Sequence, residues 1–143
     1  MSRAEFVSMM VRLAGWEKAE YKDVFGDVKA DRWYSFDVTT ALEKGLISEA
    51  TAFRPNDSIT RAEVAKLSSI IAELLGYTAS ESTDVAEFGD ASEVPEWVTE
   101  YIESANKKGI MLGDDKGNIR PNDSMTRAEA ATILWRLYKG GKA

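Results

Sequence analysis

The sequence predicts an all-α fold, mostly helical, assembled from repeats. The run Arg54 to Glu63, RPNDSITRAE, returns as Arg120 to Glu129, RPNDSMTRAE, with one exchange of Ile for Met, and its tail occurs a third time as Ser2-Arg3-Ala4-Glu5. The arginines of the three copies lie 58 residues (3 to 61) and 66 residues (61 to 127) apart. Self-similarity at such a period marks supersecondary units that need their neighbours to bury an apolar face. In each copy a hydroxyl residue, Ser2, Thr60 or Thr126, stands three residues before a glutamate, Glu5, Glu63 or Glu129. That pattern is the reciprocal capping box of a helix N-terminus. Beyond each box the apolar residues fall at helical spacing: Phe6, Met9, Leu13; Val64, Leu67, Ile71, Leu74; Ala130, Ile133, Leu137. Three equivalent amphipathic helices predict a central three-helix core.

The elements follow in order. A first capped helix runs from Ser2 to near Gly15-Trp16. Phe25-Gly26-Asp27-Val28 and Asp31-Arg32-Trp33 lead into a helical stretch that reaches Lys44, with Gly45 as its stop. A second capped helix opens at Thr60. The same order then recurs: Phe88-Gly89-Asp90-Ala91, Pro95-Glu96-Trp97, a helix to Lys108, the stop Gly109, and a third capped helix from Thr126. Strand signals are weak, and short extended pieces are expected only at Thr51–Phe53 and Asn118–Arg120. The polar stretch Gly76 to Glu87 reads as a connection between repeats, not as a domain linker. The prediction is therefore one domain over residues 1–143, with a partial first repeat at 1–24, a second at 25–87 and a third at 88–143.

Composition excludes several function classes. The net charge is −6 with the basic residues scattered, whereas a nucleic-acid surface needs clustered Lys and Arg. Histidine and cysteine are both absent, so disulfides, thiolate ligands, imidazole acid–base catalysis and the usual nucleophilic triads are unavailable. No apolar run is long enough to span a membrane, and the opening segment reads as a capped amphipathic helix, not as a secretion signal. The segment from Gly113 to Glu129 holds several acidic residues. Aligning Gly117 with the fixed glycine of a calcium loop puts Leu112 at the first ligand position, so that reading fails. The carboxylate pairs Glu100/Glu103 and Glu17/Glu20 have the spacing of exposed helix faces and lack a glycosidase pattern. No cofactor and no metal site is expected.

What recurs is chemistry suited to an anion. A capped helix start carries about half a positive charge and free N–H donors. Arg3, Arg61 and Arg127 sit one residue inside it, where capping alone requires no arginine. Trp33 and Trp97 hold equivalent places at the leading helices, as packing anchors or as faces for a sugar ring. Asp27 and Asp90 cap a turn or accept from sugar hydroxyls. Gly45 and Gly109 end helices, and Gly113 also suits close approach of a ligand to the backbone. Trp16 and Trp135 have no equivalents and read as packing residues.

Taken as Phe-x-Asp, Trp, Gly, a Pro-containing loop and Thr-Arg-Ala-Glu, the chain resembles the S-layer homology family of bacterial surface modules. Phe88 to Tyr138 look like one repeat, Phe25 to Leu75 another, and Ser2 to Gly15 the closing helix of a third. The resemblance implies pseudo-threefold repeats around a central three-helix bundle. It further implies an extracellular location at the bacterial cell surface and noncatalytic anchoring to cell-wall polysaccharide, often a pyruvylated secondary polymer. Carried onto this sequence, it implies carbohydrate contacts from Arg61, Arg127, Arg3, Trp33, Trp97, Asp27, Asp90, Gly45, Gly109 and Gly113. Arginine's planar fork suits a pyruvyl carboxylate. Two departures stand out: the first repeat lacks its leading half, and the loop Gly45–Phe53 lacks the second glycine and Asp-Gly turn that the last repeat keeps as Gly113-Asp114-Asp115-Lys116-Gly117. The alternative is a protein-interaction module whose incomplete first repeat is completed by self-association or by a partner chain.

Overall fold

A computed structural model describes residues 1–77 and 87–140. The described residues form five α-helices and one 3-10 turn, with no strand. The helices are α1 (Arg3–Ala14), α2 (Ser35–Glu43), α3 (Arg61–Leu74), α4 (Glu96–Lys107) and α5 (Arg127–Gly140), and the 3-10 turn is Ala91–Glu93. The chain divides into two compact units, Met1–Ile59 and Thr60–Ala143. The boundary falls inside the stretch 25–87 that reads as one repeat in sequence. Each unit joins a capped helix to the leading half of the following repeat. Most of the expected connection, residues 78–86, lies outside the described residues.

All three capping boxes form. Ser2 Oγ accepts from the Glu5 amide at 3.1 Å and Glu5 Oε1 from the Ser2 amide at 2.9 Å. The Thr60–Glu63 and Thr126–Glu129 pairs repeat the exchange at 3.1–3.2 Å. A capping contact contributes about 1 kcal/mol, so the starts of α1, α3 and α5 are fixed locally before any tertiary packing. The stops are local too. Gly15, Gly45 and Gly109 adopt left-handed φ of 68°, 83° and 70°, the conformation that ends a helix at little steric cost.

In the first unit α2 packs on α1, and the buried residues include Phe6, Val7, Met10 and Val11 of α1, Val38 and Ala41 of α2, and Phe25, Leu46, Phe53 and Ile59 from the loops. The Asp27 carboxylate reaches across to accept from the amides of Phe53 and Arg54, both at 2.8 Å. Those bonds hold Arg54 at φ 59°, a left-handed state that costs a non-glycine residue about 1–2 kcal/mol. Two charge-assisted bonds at roughly 1.5–3 kcal/mol each outweigh that strain. The loop so held presents its carbonyls to α1: the Arg3 amide donates to Asp57 O at 2.9 Å and the Ala4 amide to Pro55 O at 3.0 Å.

The second unit repeats the device. α4 packs on α3, and Asp90 accepts from the Ile119 and Arg120 amides at 2.9 and 2.8 Å, holding Arg120 at φ 53°. The Arg61 amide donates to Asp123 O and the Ala62 amide to Pro121 O, each at 2.9 Å. The expected extended pieces therefore form no strands, because the Asp27 and Asp90 carboxylates take the amides that a ladder would use. Extended pairing appears instead as isolated bridges at the helix entries, Ser2 with Ser58 and Thr60 with Ser124. Leu74, expected on the apolar face of α3, is exposed, and so is Trp135, read from sequence as a packing residue. Trp135 lies on a face of α5 that the described second unit leaves uncovered, stacked on Tyr138 at 5.7 Å between ring centroids.

Candidate functional site

The loop after α4 and one face of α5 enclose a cleft of about 220 Å³ with α3's first residue. Its apolar lining is Met111 and Ile133, both buried, and the half-exposed Leu112. Its polar lining is Arg61, Asp114, Glu129, Thr132 and Arg136, with Gly113 at the rim. Arg61 is 6% exposed. Its Nε donates to the Ile119 carbonyl at 2.5 Å and its Nη1 pairs with Glu129. Glu129 in turn receives Arg120 Nη2 at 2.9 Å, and Arg120 Nε sits 3.0 Å from Asp114. Arg136 is tied to the Ile110 carbonyl at 3.0 Å. The two guanidinium groups on the cleft are thus fixed by protein oxygens, which lowers the entropy cost of meeting a ligand.

The network sets the ionisation of its members. Burial draws the Arg61 pKa below its ordinary value, against the opposing pull of Glu129. Burial pushes the Glu129 carboxyl upward, but hydrogen bonds from Thr126 and the charges of Arg61 and Arg120 outweigh it and hold the group below the usual carboxylate range. Asp114 is also held low, chiefly by the Asn118 amide and then, against burial, by the Lys116 amide and Arg120. With two cations and two anions on its wall the cleft is charge-balanced, so any selectivity for an anion comes from guanidinium geometry and not from net field.

Of the residues expected from sequence, the structure brings Arg61 and Gly113 together on this cleft. Arg3 holds the matching position in the first unit, its Nε on the Phe53 carbonyl at 2.9 Å and its guanidinium 5.3 Å from the Phe53 ring. Arg127 is exposed at the start of α5 and does not line the cleft. Trp33 and Trp97 are 58% and 53% exposed, which removes the reading as buried packing anchors. Trp33 meets Tyr34 edge-on at 5.3 Å, and Trp97 lies beneath Lys66 at 5.8 Å, away from the cleft lining. Asp27 and Asp90 spend their oxygens on loop amides, not on the turn that follows them. Gly45 and Gly109 stand at helix ends with no atom within 4 Å of where a side chain would begin, while a Cβ on Gly113 would meet the Phe88 ring at 2.9 Å.

One expectation is corrected outright. The starts of α1 and α3 do not offer free N–H donors, because the amides of Arg3, Ala4, Arg61 and Ala62 are bonded to loop carbonyls and those of Glu5 and Glu63 to the capping hydroxyls. What reaches the cleft is the arginine side chain. Sequence reading missed Thr132 and Arg136. Their signal was present: Glu129, Thr132 and Arg136 recur at i, i+3 and i+7, one face of a helix.

The chain matches the profile of the S-layer homology domain over residues 24–65 and 87–131. It is 36% identical over 97% of its length to the surface-layer 125 kDa protein of Lysinibacillus sphaericus. It is 33% identical over the same share both to an amylopullulanase of Thermoanaerobacterium thermosulfurigenes and to the exoglucanase XynX of Acetivibrio thermocellus. The chain spans only 8%, 13% and 12% of the amylopullulanase, the exoglucanase and the surface-layer protein respectively. Among the described residues no helix is long and apolar enough to cross a membrane.

Proposed function

The chain belongs to the S-layer homology domain family, and from that premise we propose that its cleft beside Arg61 receives the acidic group, a pyruvyl ketal, of a secondary cell-wall polysaccharide. Domains of this family are noncatalytic and anchor proteins to the cell surface. The observation that carries the finer reading is the convergence of Arg136, pinned to the Ile110 carbonyl, and Arg61, held by the Ile119 carbonyl and Glu129, on a cleft with a hydroxyl, Thr132, and apolar lining residues. A planar guanidinium matches a carboxylate in two parallel hydrogen bonds, and the methyl group of a pyruvyl ketal suits Met111, Leu112 and Ile133. The cleft is smaller than the roughly 300–1,000 Å³ of an enclosing ligand pocket, so it suits one terminal substituent with its sugar, not a length of chain.

Arg61→Ala is a poor test, because it also removes a partner from Glu129 and from Ile119. Thr132 is exposed and lines the cleft without a structural partner on α5 beyond its bond to the Ala128 carbonyl at 3.1 Å. Thr132→Glu places a like charge where the ligand carboxylate would sit. Titration with purified wall polymer is expected to show at least about a tenfold weaker Kd, equivalent to ~1.4 kcal/mol, with a melting temperature close to that of the parent. Unchanged affinity in this variant contradicts the assignment of the cleft.

A further inference from the structure

Glu129 and Arg61 meet without the two-bond fork that a carboxylate and a guanidinium commonly form. Glu129 Oε1 accepts from the Thr126 amide at 3.1 Å in the capping box, and only Oε2 pairs with Arg61 Nη1. That oxygen is shared, because Arg120 Nη2 donates to it at 2.9 Å. Arg61 spends Nε on the Ile119 carbonyl and Nη1 on Glu129, and among the described residues no oxygen accepts from its Nη2. Arg120 does not line the cleft; its Nε lies 3.0 Å from Asp114 and its Nη1 3.4 Å from Asp123. It reaches this place from a left-handed backbone, φ 53°, that Asp90 helps to hold. Glycine would adopt that φ without strain. A bulky side chain kept there against its steric cost calls for a use of the guanidinium.

We propose that Arg120 is a positioning residue for the anion cleft: by sharing Glu129 Oε2 it holds Arg61 to a single contact and leaves the Nη2 edge of that guanidinium for the ligand carboxylate. The inference rests on the cleft reading given above. Each carboxylate oxygen has two acceptor sites, so without Arg120 the Glu129 carboxylate can turn onto Arg61, take Nη2 as well and cancel more of its charge. The guanidinium then stays on the cleft wall but is worth less to an incoming anion. Arg120 thus acts on the ligand through Glu129 and Arg61, not by touching it.

A double-mutant cycle, read by titration of the full chain with purified native wall polymer, tests this. Arg120→Asn removes the charge while tolerating the left-handed backbone, and it is expected to weaken binding roughly tenfold with a melting temperature close to that of the parent. Glu129→Gln keeps the capping pattern, which accepts Gln as well as Glu, and removes the competing charge. In that background Arg120→Asn is expected to weaken binding by less than about threefold, because no anion remains to turn onto Arg61. Equal losses in the two backgrounds overturn the proposal, since they assign Arg120 a direct or merely structural part. Unchanged affinity of Arg120→Asn also overturns it, while a weakened Thr132→Glu measured alongside leaves the cleft reading standing. Should Thr132→Glu bind as the parent does, the cleft reading fails and this inference falls with it. If melting shows Arg120→Asn to be destabilised, Arg120→Gly, which relieves the backbone outright, takes its place in the same cycle with the same expected outcomes.

Discussion

At the scale of single residues, the two aspartates of the Phe-Gly-Asp turns hold Arg54 and Arg120, the non-glycine residues with left-handed φ among the described residues. Asp90 is buried and accepts from two amides about thirty residues away, one of them that of Arg120, which it helps to hold left-handed. Asp90→Ala is expected to cost about 2–4 kcal/mol, the loss of two charge-assisted bonds partly offset by release of Arg120. Denaturant titration measures it, and a cost below about 1 kcal/mol would remove the clamp from the account. The glycines separate in the same assay. Gly109→Ala meets open space and pays only for its φ of 70°, about 1 kcal/mol. Gly113→Ala adds contacts at 2.9 Å with Phe88 and 3.3 Å with the Asn118 carbonyl and is expected to cost about 2–4 kcal/mol. Equal losses at the two positions would mean that the Phe88 ring gives way freely.

At the scale of elements, the capped helices were legible in the sequence because a capping box is complete within four residues, as Thr60 to Glu63 shows. The left-handed stops at Gly45 and Gly109 were legible for the same reason. The Asp27 and Asp90 clamps were not, since their partners lie 26 to 30 residues away and nothing local marks Phe53 or Ile119 as a donor. Arg61 was legible as a recurrent residue, but its bond to the Ile119 carbonyl, 58 residues on, redirects its charge from the helix start to the cleft wall. The displaced pieces at Thr51–Phe53 and Asn118–Arg120 were read as extended from composition, and the carboxylates then claimed their amides. The exposure of Trp135 was illegible because helical spacing alone does not say which face of α5 the fold leaves uncovered.

At the scale of the whole molecule, acid and salt responses follow from charge. Asp27, Asp114 and Glu129 have folded pKa values below their ordinary ones: Asp27 because, against burial, the Phe53 and Arg54 amides bond it, and the other two for the reasons given above. Each folded carboxylate binds fewer protons than its unfolded counterpart. Their stabilisation is therefore complete above about pH 4 and is lost as pH falls through the lowered folded values. With no histidine in the chain, the melting temperature is expected to be nearly flat from about pH 5 to 8 and to drop below about pH 4. A transition near pH 6.5 would contradict this. A charge-balanced cleft on a chain of net charge −6 is expected to hold an acidic polymer through short-range hydrogen bonds. Affinity should then change less than roughly tenfold between about 0.05 and 0.2 M salt, where binders with six to ten phosphate contacts lose about a thousandfold or more. The central claim is recognition of an acidic wall substituent, and co-sedimentation with cell-wall sacculi, native or stripped of their pyruvyl groups, tests it most directly. The chain is expected to pellet with native sacculi and to stay in solution with the stripped ones. Equal pelleting with both would contradict it.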